Sequence, residues 1–378
     1  MRRFIILAAL LAAFLSSCSK KDETTVDPSD QKTSSNVSTR GVWIYGSTLL
    51  KEKSDSIAAK LANNNVNAVY LLVKGTSGQK TPAANLTDFI TAAHAKKIKV
   101  HLWIAIAQDD NFLASNPDAH VYHCPKPSLG YTSPYRDNGS GVNLLYPGYK
   151  QYVLDNIKYF LTNFDCDGIH LDYIRYSHLV YSFDKYQLHR ADSLGCNTQR
   201  LIKLFNDNYD NYAAGDGFVN LYSSGDSDVV KWVNMRKNII YDYIKSIKDL
   251  ITQTKPNVEL NAAFMPEGAI DPVYADVYYS QNYSLNSPLL SMISPMAYFK
   301  DYNKTTDWLT TVTEKAKQAV DPKCNITMGI QAYNGVTSAQ ISEQISNSLK
   351  AGAFGLIAFR YETITADQWP VIKEKFKL

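Results

Sequence analysis

The chain has 378 residues, of which 45% are hydrophobic and 20% charged, with 39 Lys and Arg against 36 Asp and Glu. This composition is typical of a globular protein and supplies enough apolar residues for one large core or two ordinary ones. The net charge of +3 is too small, and the basic residues are too scattered, for a protein that binds nucleic acid through its phosphates. Nucleic acid is therefore not an expected partner.

The first residues have the pattern of an export signal. Two arginines precede an apolar run over residues 4–15, which is too short to span a membrane. The following Leu15-Ser16-Ser17-Cys18 resembles the lipobox of bacterial lipoproteins, in which the signal is removed and the cysteine is acylated. The resemblance implies a signal peptide over residues 1–17 and a membrane anchor on Cys18. Loss of the two arginines lowers the net charge from +3 to +1.

Residues 18–38 are rich in Ser, Thr, Asp and Lys and contain almost nothing apolar. Because such a segment cannot offset its ordering entropy, it is predicted to be a flexible tether. The charged residues directly after Cys18 resemble the surface-export signals of Bacteroidetes lipoproteins. This resemblance implies the outer membrane, with the inner and the outer leaflet left open.

From residue 39 onward, short apolar runs alternate with amphipathic helical stretches. Near-continuous apolar strands between such helices indicate a parallel sheet buried on both faces. The pattern has eight units and no Gly-rich phosphate turn, which favours a barrel over a doubly wound sheet. The predicted fold class is α/β, a single (β/α)8 TIM barrel over residues 39–378. The predicted strands are 41–46, 66–73, 98–106, 168–174, 258–264, 290–297, 326–330 and 354–359.

Two connections, 107–148 after strand three and 177–231 after strand four, are far longer than usual and are therefore expected to be either functional or disordered. Both follow C-terminal strand ends, where barrel enzymes build their sites. Their many tyrosines can stack on sugar rings, although the 26 tyrosines of the chain can also simply cover its surface. The cluster His120-Val121-Tyr122-His123-Cys124 could suggest zinc, but it has neither a helix register nor a carboxylate at matching spacing, so no metal or other cofactor is predicted.

The segment from Phe164 to Tyr176 carries the most chemical information. Burying an ionised carboxylate in a strand costs free energy unless the carboxylate is paired or lies at the solvent-exposed end of the strand. Asp172, at the end of strand four, is therefore expected to have a specific role. Asp167 is predicted to be a structural turn residue at the opposite end of the strand. Alternation places His170 on the same face as Asp172. The alternative role for Asp172 is a buried pair with Arg175 or His170 that only stiffens the barrel mouth.

Several segments, in chain order, resemble the barrel family called glycosyl hydrolase-like 10. They are R-G-V-W at 40–43, V-N-A-V-Y-L-L-V-K at 66–74, H-A-K-K-I-K-V-H-L-W at 94–103, D-G-I-H-L-D-Y-I-R-Y at 167–176, W-V-N-M-R-K-N-I-I at 232–240, I-S-P-M-A-Y-F at 293–299 and G-L-I-A-F-R-Y at 355–361. The chain is more distantly similar to exopolysaccharide hydrolase domains of the PgaB type and to chitinases. Against the chitinase pattern D-G-x-D-x-D-x-E, Ile174 replaces the glutamate that donates the proton, which disfavours substrate-assisted chitin hydrolysis.

Glycoside hydrolysis usually needs two carboxyl groups, one as acid and one as nucleophile or base. Asp172 is the first candidate, and Glu267, after strand five, is the preferred partner, by analogy with amylase-type barrels. Asp109 or Asp110, then Asp301 and Glu362, are the alternatives.

Other strand ends carry aromatic and charged residues suited to a substrate. Trp43 and Trp103 fit either a sugar platform or core filling equally well. Lys74 and Arg360 are harder to explain as core residues, because a buried cation needs a partner and the catalytic carboxylates are the expected ones. The predicted substrate-binding residues are Trp43, Lys74, Trp103, Asp109, His170, Arg175, Tyr298 and Arg360.

These expectations together predict a lipid-anchored glycoside hydrolase that cleaves O-glycosidic bonds in an extracellular or envelope polysaccharide. The alternative is a catalytically silent surface lipoprotein that binds carbohydrate.

Overall fold

The computed structural model describes residues 37–377. The predicted signal peptide, Cys18 and all of the tether except its last two residues lie outside the described part. Within residues 37–377, no helix combines the length and the apolar character needed to cross a membrane.

In the described part of the chain, eight parallel strands close into a barrel in which each strand pairs with its neighbours in sequence and the last pairs with the first. This closed order confirms the predicted (β/α)8 barrel. The register places Ala105 beside Asp172 and His170 beside Asn261. The strands are β1 (Thr39–Tyr45), β2 (Ala68–Lys74), β3 (Lys99–Ala105), β4 (Gly168–Asp172), β5 (Glu259–Phe264), β6 (Met292–Pro295), β7 (Asn325–Gln331) and β8 (Gly355–Phe359).

Helices follow most strands and cover the outside of the barrel with their apolar faces. They are α1 (Ser54–Asn63), α2 (Ala83–Ala95), α3 (Asp110–Ser115), α4 (Tyr149–Asn163), α5 (Lys185–Ser193), α6 (Thr198–Asp207), α7 (Gly217–Ser223), α8 (Ser227–Thr254), α9 (Glu267–Ile270), α10 (Pro272–Tyr278), α11 (Tyr283–Asn286), α12 (Trp308–Ala319), α13 (Ser338–Lys350) and α14 (Gln368–Lys375).

The two long connections differ in character. The one after β3 contains α3 and a pair of two-residue antiparallel strands, Tyr122–His123 and Tyr135–Arg136. The one after β4 is largely helical and includes α5, α6 and α7. Its aromatic residues extend the core of the barrel, since Phe183 packs against Phe205 and against Trp232 of α8, and Phe205 stacks on Phe218. Both connections are therefore ordered additions to the barrel mouth.

The interior of the barrel differs from the layer between strands and helices. That outer layer is aliphatic, whereas the interior holds a separate cluster of Trp43, Tyr70, Trp103 and their apolar neighbours. At the bottom of β4, Asp167 accepts hydrogen bonds from His94 Nε2 and from the Val100 amide, at 2.8 and 2.7 Å. Asp167 thus has the structural role that the sequence predicts.

Candidate active site

A cavity of about 510 Å³ opens at the C-terminal ends of the barrel strands. Every barrel strand except β5 contributes to it, either directly or through the loop that follows. Its walls are mainly aromatic and its charged groups are Asp172 and Arg175. The lining residues central to the site are Tyr45, Trp103, Asp172, Tyr173, Arg175, Tyr298, Tyr333 and Phe359.

Asp172 is the last residue of β4 and is only 6% exposed. The indole Nε1 of Trp103 donates a hydrogen bond to its Oδ2 at 3.0 Å, and the amide of Tyr173 donates to its Oδ1 at 2.6 Å. Because Trp103 lies on the neighbouring strand β3, the barrel itself fixes the orientation of the carboxylate. Burying a carboxylate that is hydrogen-bonded in this way costs less free energy than burying an unpaired one. The hydrogen bonds also fix which face of the carboxylate is turned to the cavity.

Tyr173 follows directly and has a φ of 50°. This left-handed conformation is uncommon for a bulky residue and tends to persist at functional sites, where surrounding structure holds it. Here it turns the chain sharply at the strand end, so that the Tyr173 amide points back to the carboxylate that precedes it. The turn therefore helps to orient Asp172.

Arg175 forms an ion pair with Asp172, with 3.6 Å between Nη1 and Oδ1. Its guanidinium lies 4.7 Å from the Tyr173 ring centroid, which restrains the side chain further. Nη1 has no hydrogen-bond partner among the described residues. Arg175 thus supplies a charge that balances Asp172 in the lining of the cavity.

Glu267 is in the first turn of α9, after β5, and is partly buried. The Tyr302 hydroxyl lies 3.1 Å from both of its carboxylate oxygens. Burial raises the pKa of Glu267 above its usual value, and this effect outweighs the opposing influence of the Tyr302 hydroxyl and the Arg175 guanidinium. Glu267 does not line the central cavity. Arg175 is the residue whose charge reaches both carboxyl groups.

His170 and Trp43 lie deeper in the barrel than the cavity lining. The Trp43 indole donates to His170 Nε2 at 3.2 Å, and the opposite ring nitrogen is 2.6 Å from the Asn261 side-chain oxygen. Burial lowers the pKa of His170 to about 4, so the ring is neutral at neutral pH. The prediction that His170 shares the interior face with Asp172 is confirmed, but its partners are Trp43 and Asn261.

Lys74 and Asp109 pair with each other, with 2.8 Å between Nζ and Oδ2, and both are almost completely buried. Lys74 also donates to the Ala105 carbonyl, while Asp109 accepts from the Phe112 amide and so caps α3. Neither residue lines the central cavity. The buried cation has the partner that the sequence requires, but that partner is Asp109 instead of the predicted catalytic carboxylates.

Arg360 follows β8 and lies 4.5 Å from the Tyr45 ring centroid, at the rim of the cavity. It pairs with Glu362, whose Oε1 also accepts from the Tyr45 amide. Asp301 accepts hydrogen bonds from the Tyr333 hydroxyl and from the Gln331 side chain. Glu362 and Asp301 therefore both hold the aromatic wall in place.

The structure thus brings Trp103, Asp172, Arg175 and Tyr298 together around the cavity, with Arg360 at its rim. Sequence reasoning missed Tyr45, Tyr173, Tyr333 and Phe359, which complete the aromatic wall. Tyr45 and Phe359 are the last residues of β1 and β8, so aromatic residues at strand ends were the available signal.

Known protein structures share this barrel. The PgaB (BpsB) glycoside hydrolase domain from Bordetella bronchiseptica matches with a TM-score of 0.68 and 9% identity, over 90% of this chain and 99% of that one. A β-galactosidase from Marinomonas ef1 matches with a TM-score of 0.62 and 9% identity, over 89% of this chain and 58% of that one. A class V chitinase from Pseudomonas fluorescens Pf-5 matches with a TM-score of 0.52 and 10% identity, over 89% of this chain and 99% of that one. At these identities the likeness is one of fold.

In sequence, no curated protein matches the chain. The model of one family, glycosyl hydrolase-like 10, matches residues 75–348, which include β3 to β7 and the strand-four motif with Asp172. The match covers most of the barrel, and the chain therefore belongs to the glycosyl hydrolase-like 10 family.

Proposed function

We propose that this protein is a glycoside hydrolase that cleaves O-glycosidic bonds in a polysaccharide, with Asp172 as nucleophile or base and Glu267 as acid. The observation that carries the proposal is Asp172 itself, a nearly buried carboxylate held by two hydrogen bonds and an ion pair at the mouth of an aromatic cavity. A structural ion pair would not need an open cavity beside it. Membership of a glycosyl hydrolase-like family supports the same activity.

The aromatic wall suits a sugar substrate. Tyr45, Trp103, Tyr298 and Phe359 pack against one another with ring centroids 5.4 to 6.2 Å apart, which fixes their orientations. Rigid aromatic faces can stack on the C–H faces of sugar rings, while Tyr hydroxyls can bond to sugar hydroxyls. A bound glycan would then place a glycosidic bond beside Asp172.

The acid must be protonated when it meets the substrate. Burial favours the protonated form of Glu267, and this is the change that a general acid requires. Glu267 follows β5, the strand paired with the Asp172 strand, and the charge of Arg175 acts on both groups. Two of the alternatives are already engaged, since Asp109 pairs with Lys74 and Glu362 with Arg360.

We further propose that the enzyme acts outside the cytoplasm, attached to the outer membrane through Cys18. The support is the sequence of residues 1–38, with its export signal, lipobox-like motif and polar tether. A tether of this kind would let the barrel reach an extracellular or envelope polysaccharide.

The test is release of reducing ends from a panel of polysaccharides by the wild type, Asp172→Asn and Glu267→Gln. We expect each substitution to lower kcat about 100-fold or more with little change in Tm, because the shape is kept while the reacting group is lost. Asp88→Asn, on the exposed face of α2, is the control and should keep full activity.

Cleavage by Asp172→Asn at the wild-type rate would refute the assignment. Glycan binding by the wild type without cleavage of any polysaccharide would instead support the carbohydrate-binding alternative.

A further inference from the structure

Two smaller cavities adjoin the central one at the barrel mouth. One, of about 200 Å³, shares Arg175 with the central cavity, and we call it the insertion-side cavity. The other, of about 230 Å³, shares Tyr45, Leu72, Gly75 and Ser77 with it, and we call it the β1-side cavity. Asp172 lines only the central cavity. The side cavities therefore adjoin different parts of the central cavity, and the central cavity holds the carboxylate.

The insertion-side cavity is built by the two long connections. Its wall includes the run Gly139-Ser140-Gly141, whose small side chains leave the space open, together with Ser177 and Tyr181 from the connection after β4. The run is held firmly, because the Asp109 amide donates to the Ser140 carbonyl at 3.0 Å and Gly141 bridges to Gln108. The cavity is thus part of the ordered structure, and it exists because this chain carries both connections.

The walls of both side cavities suit uncharged polar ligands. The insertion-side cavity combines two tyrosines, serine hydroxyl groups and backbone, with Asp137 and Arg175 of opposite charge. The β1-side cavity combines Tyr45 and Leu72 with Ser47, Gln79 and Lys80. Sugar rings present apolar faces and several hydroxyls at once, so walls of this mixed kind can bind them. Arg175 lines both the central and the insertion-side cavities.

We infer that the three cavities form one groove that binds consecutive sugar units on both sides of the scissile bond, so that the enzyme cleaves glycan chains internally. This inference rests on the proposed hydrolase activity. An enzyme that removes terminal units needs a site closed on one side of its carboxylates, whereas this groove continues past Asp172 in both directions.

The experiment uses the full chain with soluble starch, xylan, mixed-linkage β-glucan, dextran and chitosan. Size-exclusion chromatography follows polymer length while reducing ends are counted. Internal cleavage predicts a fall in mean polymer mass at the first few bonds cut, and a kcat/KM at least tenfold higher for hexamers than for trimers of the cleaved glycan. Release of a single small product from intact long polymer, with equal kcat/KM for trimer and hexamer, would overturn the inference of internal cleavage but leave the proposed hydrolase activity standing. Hydrolysis of no glycan would refute the proposed function itself.

Substitutions test the insertion-side cavity and the β1-side cavity separately. Ser177→Trp fills the insertion-side cavity and Ser47→Trp the β1-side cavity, and both serines are exposed. Each should lower the hexamer-to-trimer ratio of kcat/KM about tenfold. The control is Ser56→Trp, at an exposed position of α1 outside all three cavities, and it should leave the ratio unchanged. An unchanged ratio in both groove variants, with wild-type Tm, would contradict the inference.

Discussion

At Glu267, two opposing effects act on one carboxyl group. Burial disfavours the charged form, whereas the Tyr302 hydroxyl, 3.1 Å from both oxygens, favours it. Burial is the larger effect, so the pKa of Glu267 is raised. If Glu267 is the acid, activity should be lost as the pH rises through this pKa, because the proton to be donated is then gone.

Tyr302→Phe removes the hydroxyl and leaves the burial. We predict that the pKa of Glu267 rises further, and that the alkaline limb of the kcat/KM profile moves to higher pH while the acidic limb stays. The measurement is kcat/KM against pH for the wild type and the variant on one cleaved polysaccharide. Tyr159→Phe, at an exposed tyrosine of α4, is the control and should not move either limb. A shift of the alkaline limb to lower pH would show that Glu267 is not the group that titrates there.

Single residues were predictable from the sequence where a strand end fixes their position. Asp172 and Trp103 could be placed in this way because both lie near the C-terminal ends of strands whose apolar runs are unmistakable. Lys74 ends β2 and Asp109 follows β3 on the same side of the barrel, yet they pair with each other in the protein interior. Sequence shows that a buried cation needs a partner but cannot choose among several nearby acids.

The ion pair of Lys74 and Asp109 links two elements, because Lys74 ends β2 and Asp109 caps α3. Asp109→Asn keeps an oxygen to cap α3 but leaves the Lys74 charge buried without a partner. We predict a loss of about 3 kcal/mol or more in the free energy of unfolding, measured by urea denaturation. The double variant Lys74→Met, Asp109→Asn removes both charges and should be more stable than the single variant. Equal stability of the single and double variants would mean that the pair contributes no charge coupling.

Elements were predictable to different degrees. The barrel strands are buried on both faces, so most of them are short, mainly apolar runs that the order of residues in the sequence reveals. The helices α5 to α7 were harder to recognise because each has only seven to ten residues and the connection around them is rich in Asn, Asp and Gly, which favour turns. Buried Arg236 of α8 bonds to the carbonyls of His178 and Val277, and so ties this insertion to the barrel. Such long-range contacts cannot be read from local sequence.

At the scale of the whole molecule, a polar chain runs through the interior of the barrel. It leads from Trp43 to His170, then to Asn261, whose amide donates to His101 Nδ1 at 3.0 Å. Tyr70 stacks on His101 with ring centroids 4.8 Å apart. Each bond uses a neutral imidazole, and burial lowers the pKa of His101 to about 3 and of His170 to about 4. The barrel thus contains two histidines whose rings are neutral in the folded state at neutral pH.

The neutrality of these rings predicts how the stability of the protein varies with pH. Between the ordinary histidine pKa of about 6.5 and the lowered values, the unfolded chain binds protons that the folded chain excludes, so stability falls as the pH falls. Each histidine should contribute up to about 1.4 kcal/mol per pH unit in that window. His170→Gln should reduce the slope of unfolding free energy against pH, measured by urea denaturation from pH 7 to 4.5. His189→Gln, on the exposed surface of α5, should leave that slope unchanged. If His170→Gln and the wild type have the same slope, the interior histidine is protonated in the folded protein and the hydrogen-bond chain is wrongly assigned.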